Sequence, residues 1–290
     1  SHLIRLQKEG FAVFETRLDL AGGQTQVIVA RLVSLTAPVA EQSKTAPVAP
    51  SAAPGEAPKE NTGRIAIEVH GALGIAPGGF GSDLESACDD PCTKAIGLGA
   101  LAFLHAGYEL PSGLGFGVSA GYLVSGGRLE GRATTLQPVG KPANVGAADD
   151  QLRLSGVMLG ATGSYHLGET TPLLFRLGAG VLLGSMSDTR TGSFASSLGG
   201  AYEADTVTTK ASMKSFYLDP EVRFGLRFAD HFEVTVGVEA AILIGLSSPE
   251  WDVEQRVVTR DDGLASYGSE ALSSGVVIVL APGLGFRADF

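Results

Sequence analysis

From residue 62 onward, apolar and polar side chains alternate with period two over long stretches, the spacing of a strand with one apolar face. The clearest stretch is 232–246. Phe232, Val234, Val236, Val238, Ala240, Ile242, Ile244 and Leu246 share one parity, and Glu233, Thr235, Gly237, Glu239 and Gly245 share the other. Over 214–229, Phe216, Leu218, Val222, Phe224, Leu226 and Phe228 oppose Asp219, Glu221, Arg223, Gly225 and Arg227. Over 275–290, Val276, Ile278, Leu280, Leu284, Phe286 and Phe290 oppose Gly283, Gly285, Arg287 and Asp289. The pattern predicts eight strands, near 64–76, 95–109, 113–126, 151–167, 173–187, 214–229, 232–246 and 275–290. Each is long enough to cross a bilayer as a tilted strand.

The connections alternate in length. Pro111-Ser112, residues 168–172 and residues 229–231 are tight; those around 77–94, 127–150, 188–213 and 247–274 are long, polar and rich in Gly, Ser, Asp and Thr. Short turns on one side and long loops on the other are the layout of an outer-membrane barrel, with turns in the periplasm and four loops outside. The expected fold class is therefore all-β: an eight-stranded antiparallel transmembrane β-barrel over 62–290, preceded by a small N-terminal β module. One stretch breaks the pattern. Leu152 and Leu154 differ in parity from Val157, Leu159 and Tyr165, which predicts a bulge near Ser155-Gly156.

The parity assigned inward carries charge. Glu68, Asp219, Glu221, Glu233 and Glu239 are offset by Arg176, Arg223, Arg227 and Arg287. An unpaired buried charge is very costly, so near balance predicts an ion-paired network filling the lumen. Tyr108, Phe116, Phe175, Phe228, Phe232 and Phe290 lie near the tight turns and predict a periplasmic aromatic girdle. The outer girdle is thin, with Phe216 near a long loop and the sole Trp251 in the last one.

Residues 1–36 read as three short strands with Gly turns: Leu3 to Leu6, Phe14 to Leu20, and Val27 to Leu32 after Gly22-Gly23. His2, Ile4, Leu6, Lys8, Gly10, Phe11, Phe14, Glu15, Leu18, Leu20, Gly23 and Thr25 form a pattern that resembles the second half of a PEGA domain, a small β-sandwich of bacterial extracytoplasmic proteins. The tetrapeptide that names that family is absent. The resemblance implies a partial periplasmic module. Residues 37–61 hold Ala or Pro at 12 of 25 positions and no aromatic residue. They cannot bury enough apolar area to offset their ordering entropy, and proline stiffens them into a spacer. No secretory leader opens the chain, and the first residues read as the middle of a domain, which suggests a fragment.

Composition narrows the class. Of 290 residues, 44% are hydrophobic, 18% charged and 40 are glycine. Glycine is thus about twice its average share and charge is low, which excludes wholesale disorder. Without a Gly-X-Y period, collagen is excluded too. A net charge of −10 argues against a nucleic-acid partner. A narrow barrel needs small residues on its inner face, and lipid takes the other face, so both anomalies have one cause.

The terminal strand, VVIVLAPGLGFRADF, alternates and ends on Phe290. The region resembles the OmpA/OmpX/OmpW-type eight-stranded outer-membrane barrels of Gram-negative bacteria. The resemblance implies an assembly signal at Phe286 and Phe290, read by the barrel-assembly machinery. Pro282 departs from a regular strand and needs a bulge or a non-bonding position. Cys88 and Cys92, in CDDPC, are expected to form a disulfide outside the cytoplasm. The five histidines are scattered over different elements, so no metal site is expected. Ser164 and His166 share a strand face, but at the periplasmic end they read as structural, and no catalytic or cofactor-binding residue is assigned. The expected protein is not an enzyme. It is a structural anchor in the bacterial outer membrane that tethers a periplasmic module and presents four loops outside. Its partners would be outer-membrane lipid, the assembly machinery and periplasmic or peptidoglycan-associated components. A small-solute porin and a secreted soluble β-sandwich adhesin are the alternatives.

Overall fold

The computed structural model describes residues 2–6, 14–18 and 63–290, the last without 90, 169, 170, 197, 198, 230, 261 and 274. The chain divides into two units, Ser1–Lys59 and Glu60–Phe290. In the first, β1 (His2–Leu6) and β2 (Phe14–Leu18) pair antiparallel, with His2 opposite Leu18 and Leu6 opposite Phe14. The third strand expected there, the Ala/Pro segment 37–61, and Lys8, Gly10, Phe11, Leu20, Gly23 and Thr25 lie outside the described residues.

The second unit contains β3 (Arg64–Ala76), α1 (Asp83–Ser86), β4 (Thr93–Lys94), β5 (Gly97–Glu109), β6 (Leu114–Pro138), β7 (Asn144–Leu167), β8 (Leu173–Ala195), β9 (Ala201–Ala229), β10 (Phe232–Gly245), β11 (Val257–Thr259), β12 (Gly263–Tyr267) and β13 (Val276–Asp289). The eight long strands β3, β5, β6, β7, β8, β9, β10 and β13 pair antiparallel in that order, and β13 pairs back onto β3. The ring is closed, so it has no free edge. Its seam ends on the last residue: the Ile65 and Phe290 amides each donate to the other's carbonyl at 2.8 Å. Pro282 needs no bulge. The β13–β3 ladder skips it, with Leu280 opposite Ile75 and Gly283 opposite Ala72 in one register.

Period two divides the side chains of the ring. Leu73, Phe116, Val118 and Val236 stand more than half exposed on the outside, with apolar neighbours on every strand. In a soluble sandwich such faces would pack on each other. Here the single closed sheet turns them all outward, and only lipid can cover them. The soluble sandwich is excluded on this ground. The chain is a transmembrane β-barrel.

Two sequence expectations fail at the outer rim. The segments around 127–150 and 188–213, expected as long loops, are mostly strand. β6, β7, β8 and β9 run far past the level where β3, β5, β10 and β13 stop: β6 ends at Pro138 and β7 begins at Asn144, β8 ends at Ala195 and β9 begins at Ala201. The β11–β12 hairpin closes the gap between them. β12 pairs with β6, Ala265 opposite Pro138, and β11 meets β9 at Thr259 opposite Ala204. The strands β6, β7, β8, β9, β11 and β12 thus form a second, six-stranded ring above the first.

The second failure is the bulge at Ser155-Gly156. The β6–β7 pairing runs unbroken from Leu114 opposite Tyr165 to Leu129 opposite Asp150. Leu152 and Leu154 face inward, while Val157 and Leu159 face outward. The strand keeps its phase; its surroundings change. Below the rim the outside meets lipid and the inside is polar. Above it the outside meets water and the inside is apolar. Along β8 the outward residues pass from Phe175, Leu177, Val181 and Leu183 to Ser187, Thr189, Thr191 and Ser193. The register shifts that do occur lie elsewhere: higher up, between Leu129 and Arg132 and between Arg190 and Gly192, and at the tight-turn end between Phe232 and Glu233.

Candidate functional site: the filled lumen and the outer lobe

The barrel interior holds two layers of paired charge. The lower layer lies at the level of the tight turns. Arg64 Nε donates to Glu109 Oε1 at 3.0 Å, Arg287 donates to Glu109 Oε2 and, at 2.7 Å, to Asp289 Oδ1, and Arg227 donates to Asp289 Oδ2 at 2.5 Å. His166 joins it, with Nδ1 3.4 Å from Glu109 Oε1 and Nε2 3.5 Å from Glu233 Oε2. His166 is therefore taken up in ion pairing. Three arginines face three carboxylates in this layer (Arg64, Arg227 and Arg287 against Glu109, Glu233 and Asp289).

The upper layer lies deeper in the bilayer. Arg176 donates to Glu221 Oε2 at 2.6 Å and to Glu68 Oε2. Arg223 donates to Glu221 Oε1 at 2.6 Å and to Thr235 Oγ1 at 2.9 Å. His70 Nε2 lies 3.0 Å from Glu239 Oε2, and Asp219 is buried beside the group. Neighbouring glycines make room for this layer. A methyl group on Gly237 would meet Arg223 Cγ at 2.7 Å, and one on Gly285 would meet Thr235 Oγ1 at 2.6 Å and Arg223 Nη2 at 3.0 Å.

Above the charges the lumen is apolar. Tyr217, whose hydroxyl lies 3.1 Å from Ser119 Oγ, is followed by Leu101, Phe103, Leu123, Ala241, Leu243, Val277 and Val279, all buried. The first outer segment caps this end. Ser82 and Glu85 form a capping box on α1, and Phe80 and Leu84 insert into the apolar cluster. The Ser273 hydroxyl donates to the Phe80 carbonyl at 2.7 Å, which ties the cap to the last outer segment. Cys88 and Cys92 are joined in a disulfide at the edge of this cap.

The same apolar cluster continues into the outer ring through Leu129, Leu136, Leu152, Leu154, Met186, Phe194, Tyr202, Val257 and Tyr267. At the centre of that ring lies a second ion cluster. Asp150 accepts from Arg132 Nε at 2.7 Å and from Arg190 Nε at 2.6 Å. Arg190 also donates to Asp188 Oδ2 at 3.1 Å, and Glu270 completes the set 2.9 Å from Arg190. The Arg190 guanidinium sits 4.0 Å from the Trp251 ring centroid and 4.5 Å from that of Tyr267, a cation–π contact made stronger by burial. Trp251 is thus a core residue of the lobe and no part of an interfacial girdle. Two cations face three carboxylates here. Burial, together with the negative charge of Asp150, pushes the Asp188 carboxyl up to about 7. Burial would also raise Asp150, but Arg132 and Arg190 outweigh it and hold that carboxyl below its usual range.

The nine residues read from sequence as lumenal charges all line the interior. Glu68, Arg176, Asp219, Glu221, Arg223 and Glu239 share the upper layer, while Arg227, Glu233 and Arg287 share the lower one. Phe286 and Phe290 face outward; Phe286 stacks on Phe232 with centroids 5.6 Å apart. Sequence reading put Arg64 and Asp289 on the inward parity without assigning them to the network, and it missed His105, Glu109 and His166 as lumen residues. Parity was the available signal, since Leu101, Phe103, His105 and Glu109 alternate against Leu98, Leu104 and Tyr108. It also missed Arg132, Asp150, Asp188, Arg190 and Glu270, whose segments had been assigned to loops.

A closed eight-stranded ring with a lipid-facing apolar belt, a polar interior and short turns at one end defines an outer-membrane β-barrel. No protein-family model matches the chain, and no curated protein matches it. Among solved structures it is similar to Neisserial surface protein A, at 13% identity over 78% of this chain and 97% of that one, with a TM-score of 0.33. It is also similar to Ail, the attachment invasion locus protein of Yersinia pestis, at 12% identity over 79% of this chain and 99% of that one, with a TM-score of 0.31. At such values the assignment rests on the closed ring and its surface.

Proposed function

We propose that this barrel is a structural anchor, holding the N-terminal module on the periplasmic side and presenting the six-stranded lobe outside the cell. The observation that carries this reading is the lumen. Two layers of ion pairs and an apolar plug fill it, and Glu68, Glu221, Arg223, Glu233, Glu239 and Arg287 are each at most 3% exposed. Eight strands leave an interior that side chains just fill. β3 starts at the level of the tight turns, the end that this reading assigns to the periplasm. Outer-membrane lipid covers the apolar belt. The assembly machinery would read the last strand at Phe286 and Phe290, and periplasmic or peptidoglycan-associated partners would meet the module.

The test has two arms. Purified protein in planar bilayers is expected to give no stepwise conductance; discrete openings would favour the porin alternative. In intact cells an added biotinylation reagent is expected to label Lys141 at the lobe tip, while an epitope at residue 1 stays hidden until the outer membrane is permeabilised. An epitope reached from outside would overturn the anchor reading.

A further inference from the structure

The two lumen layers differ in charge. The lower is balanced, three arginines against three carboxylates. In the upper, Glu68, Asp219, Glu221 and Glu239 face only Arg176 and Arg223. The acids outnumber the arginines by two in a low-dielectric interior, where uncompensated charge is costly. The same layer holds two histidines, His70 on β3 and His105 on β5, with ring centroids 5.1 Å apart. They lie far apart in sequence, and the barrel brings them together.

His105 is 5% exposed, and neither of its ring nitrogens has a hydrogen-bond partner among the described residues. Buried polar atoms are rarely left so, and each such case needs an explanation. His70 is poised differently. Its Nε2 lies 3.0 Å from Glu239 Oε2, which places the proton on Nε2 and turns the Nδ1 lone pair toward Glu221 Oε1, 3.7 Å away, and Glu68 Oε1, 3.9 Å away. A histidine oriented by a carboxylate behind it is the usual arrangement around a metal. One ligand atom from each of His70, His105 and Glu221 lies within 4.8 Å of the others. A cavity of about 30 Å³ lined by Glu68, His105 and Arg176 adjoins the group, space enough for a water-sized particle.

We propose that the upper layer binds one divalent transition-metal ion, zinc being the best fit, through His70 Nδ1, a ring nitrogen of His105 and Glu221. Imidazole and carboxylate donors suit zinc. One dication offsets the excess of acids, satisfies His105 and uses the lone pair that Glu239 orients. Arg176 and Arg223 repel a cation, which is why the layer needs four carboxylates. The three ligand residues are each at most 5% exposed, so the ion is expected to enter during folding. The ion is structural: it fixes β3, β5 and β9 to one another across the interior.

The protein is refolded into detergent with Zn²⁺, or with EDTA, and dialysed. Metal is then counted by mass spectrometry on the fraction whose heat-modifiable migration shows a folded barrel. The expected result is about one zinc per folded chain, the EDTA-refolded barrel staying empty when zinc is added later. His105→Ala is expected to abolish retention, and His231→Ala, at an exposed turn, to leave it intact. Refolding the unmutated chain with Co²⁺ is expected to give visible ligand-field absorption, a readout that holds even if His105→Ala does not fold. A folded, unmutated barrel with neither zinc nor a cobalt spectrum overturns the proposal. Full zinc retention in folded His105→Ala overturns it as well.

Discussion

Asp188 gives the lobe a pH dependence that can be calculated and then removed. The carboxyl is fully buried, its Oδ1 has no hydrogen-bond partner among the described residues, and its Oδ2 takes one bond from Arg190. Burial and the nearby charge of Asp150 raise it from the ordinary 3.8 to about 7. The folded lobe therefore binds a proton more tightly than the unfolded chain does. Stability from this group is fully present below the unfolded value, declines as pH rises, and is lost above about pH 7. Between pH 5 and pH 8 the folded state gives up about two units of that shift, or roughly 3 kcal/mol. Asp188→Asn keeps the shape and cannot ionise. It is expected to flatten the pH dependence and to be more stable than the unmutated lobe at pH 8, with little difference at pH 5. The assay is built in. The chain has one tryptophan, Trp251, packed under Arg190 in the lobe core, so guanidinium unfolding followed by tryptophan fluorescence reads the lobe. Equal losses of stability between pH 5 and pH 8 in both proteins would refute the reasoning.

Three further outcomes follow from the geometry. Arg176→Met leaves Glu68 and Glu221 to share Arg223 alone and should cost about 3–5 kcal/mol in urea unfolding from lipid vesicles; adding Glu68→Gln should recover part of it. Val236→Arg places a charge on the lipid face and should cost about 2–4 kcal/mol in the same assay, whereas Thr191→Arg, on the water-facing side of the lobe, should stay within about 0.5 kcal/mol. Gly285→Leu drives a side chain into Thr235 and Arg223 and should abolish heat-modifiable migration, while Gly131→Leu, where nothing lies within 4 Å, should retain it despite its positive φ.

The barrel was legible in the sequence wherever one solvent governed a whole strand. Over 232–246 every outward position meets lipid, so the alternation is continuous and both strand and facing could be read. Strand β7 was misread because it passes through two solvents. Leu154 and Val157 are both apolar, one facing a dry interior above the rim and the other facing lipid below it, and a parity change looked like a bulge. The outer halves of β8 and β9 were illegible for a related reason. Their outward faces are Ser and Thr on β8 and include Glu203, Asp205 and Lys210 on β9, and their inward faces include Asp188, Arg190 and Gly192 among the apolar residues, a mixture with the composition of a loop. The lumen charges could be read by sign and parity. The meeting of His70 with His105 could not, because it depends on the register between β3 and β5, which puts Glu68 opposite His105 and His70 opposite Phe103.

The four long strands that cross the rim without a break also make the molecule a mechanical element. A pull on the lobe tip runs along β6, β7, β8 and β9, at right angles to the hydrogen bonds that join them. Those bonds are then loaded in shear, many at once, and none can open before its neighbours. A flexible loop grafted onto the barrel would instead peel residue by residue. A load on the lobe tip passes directly into the wall of the barrel.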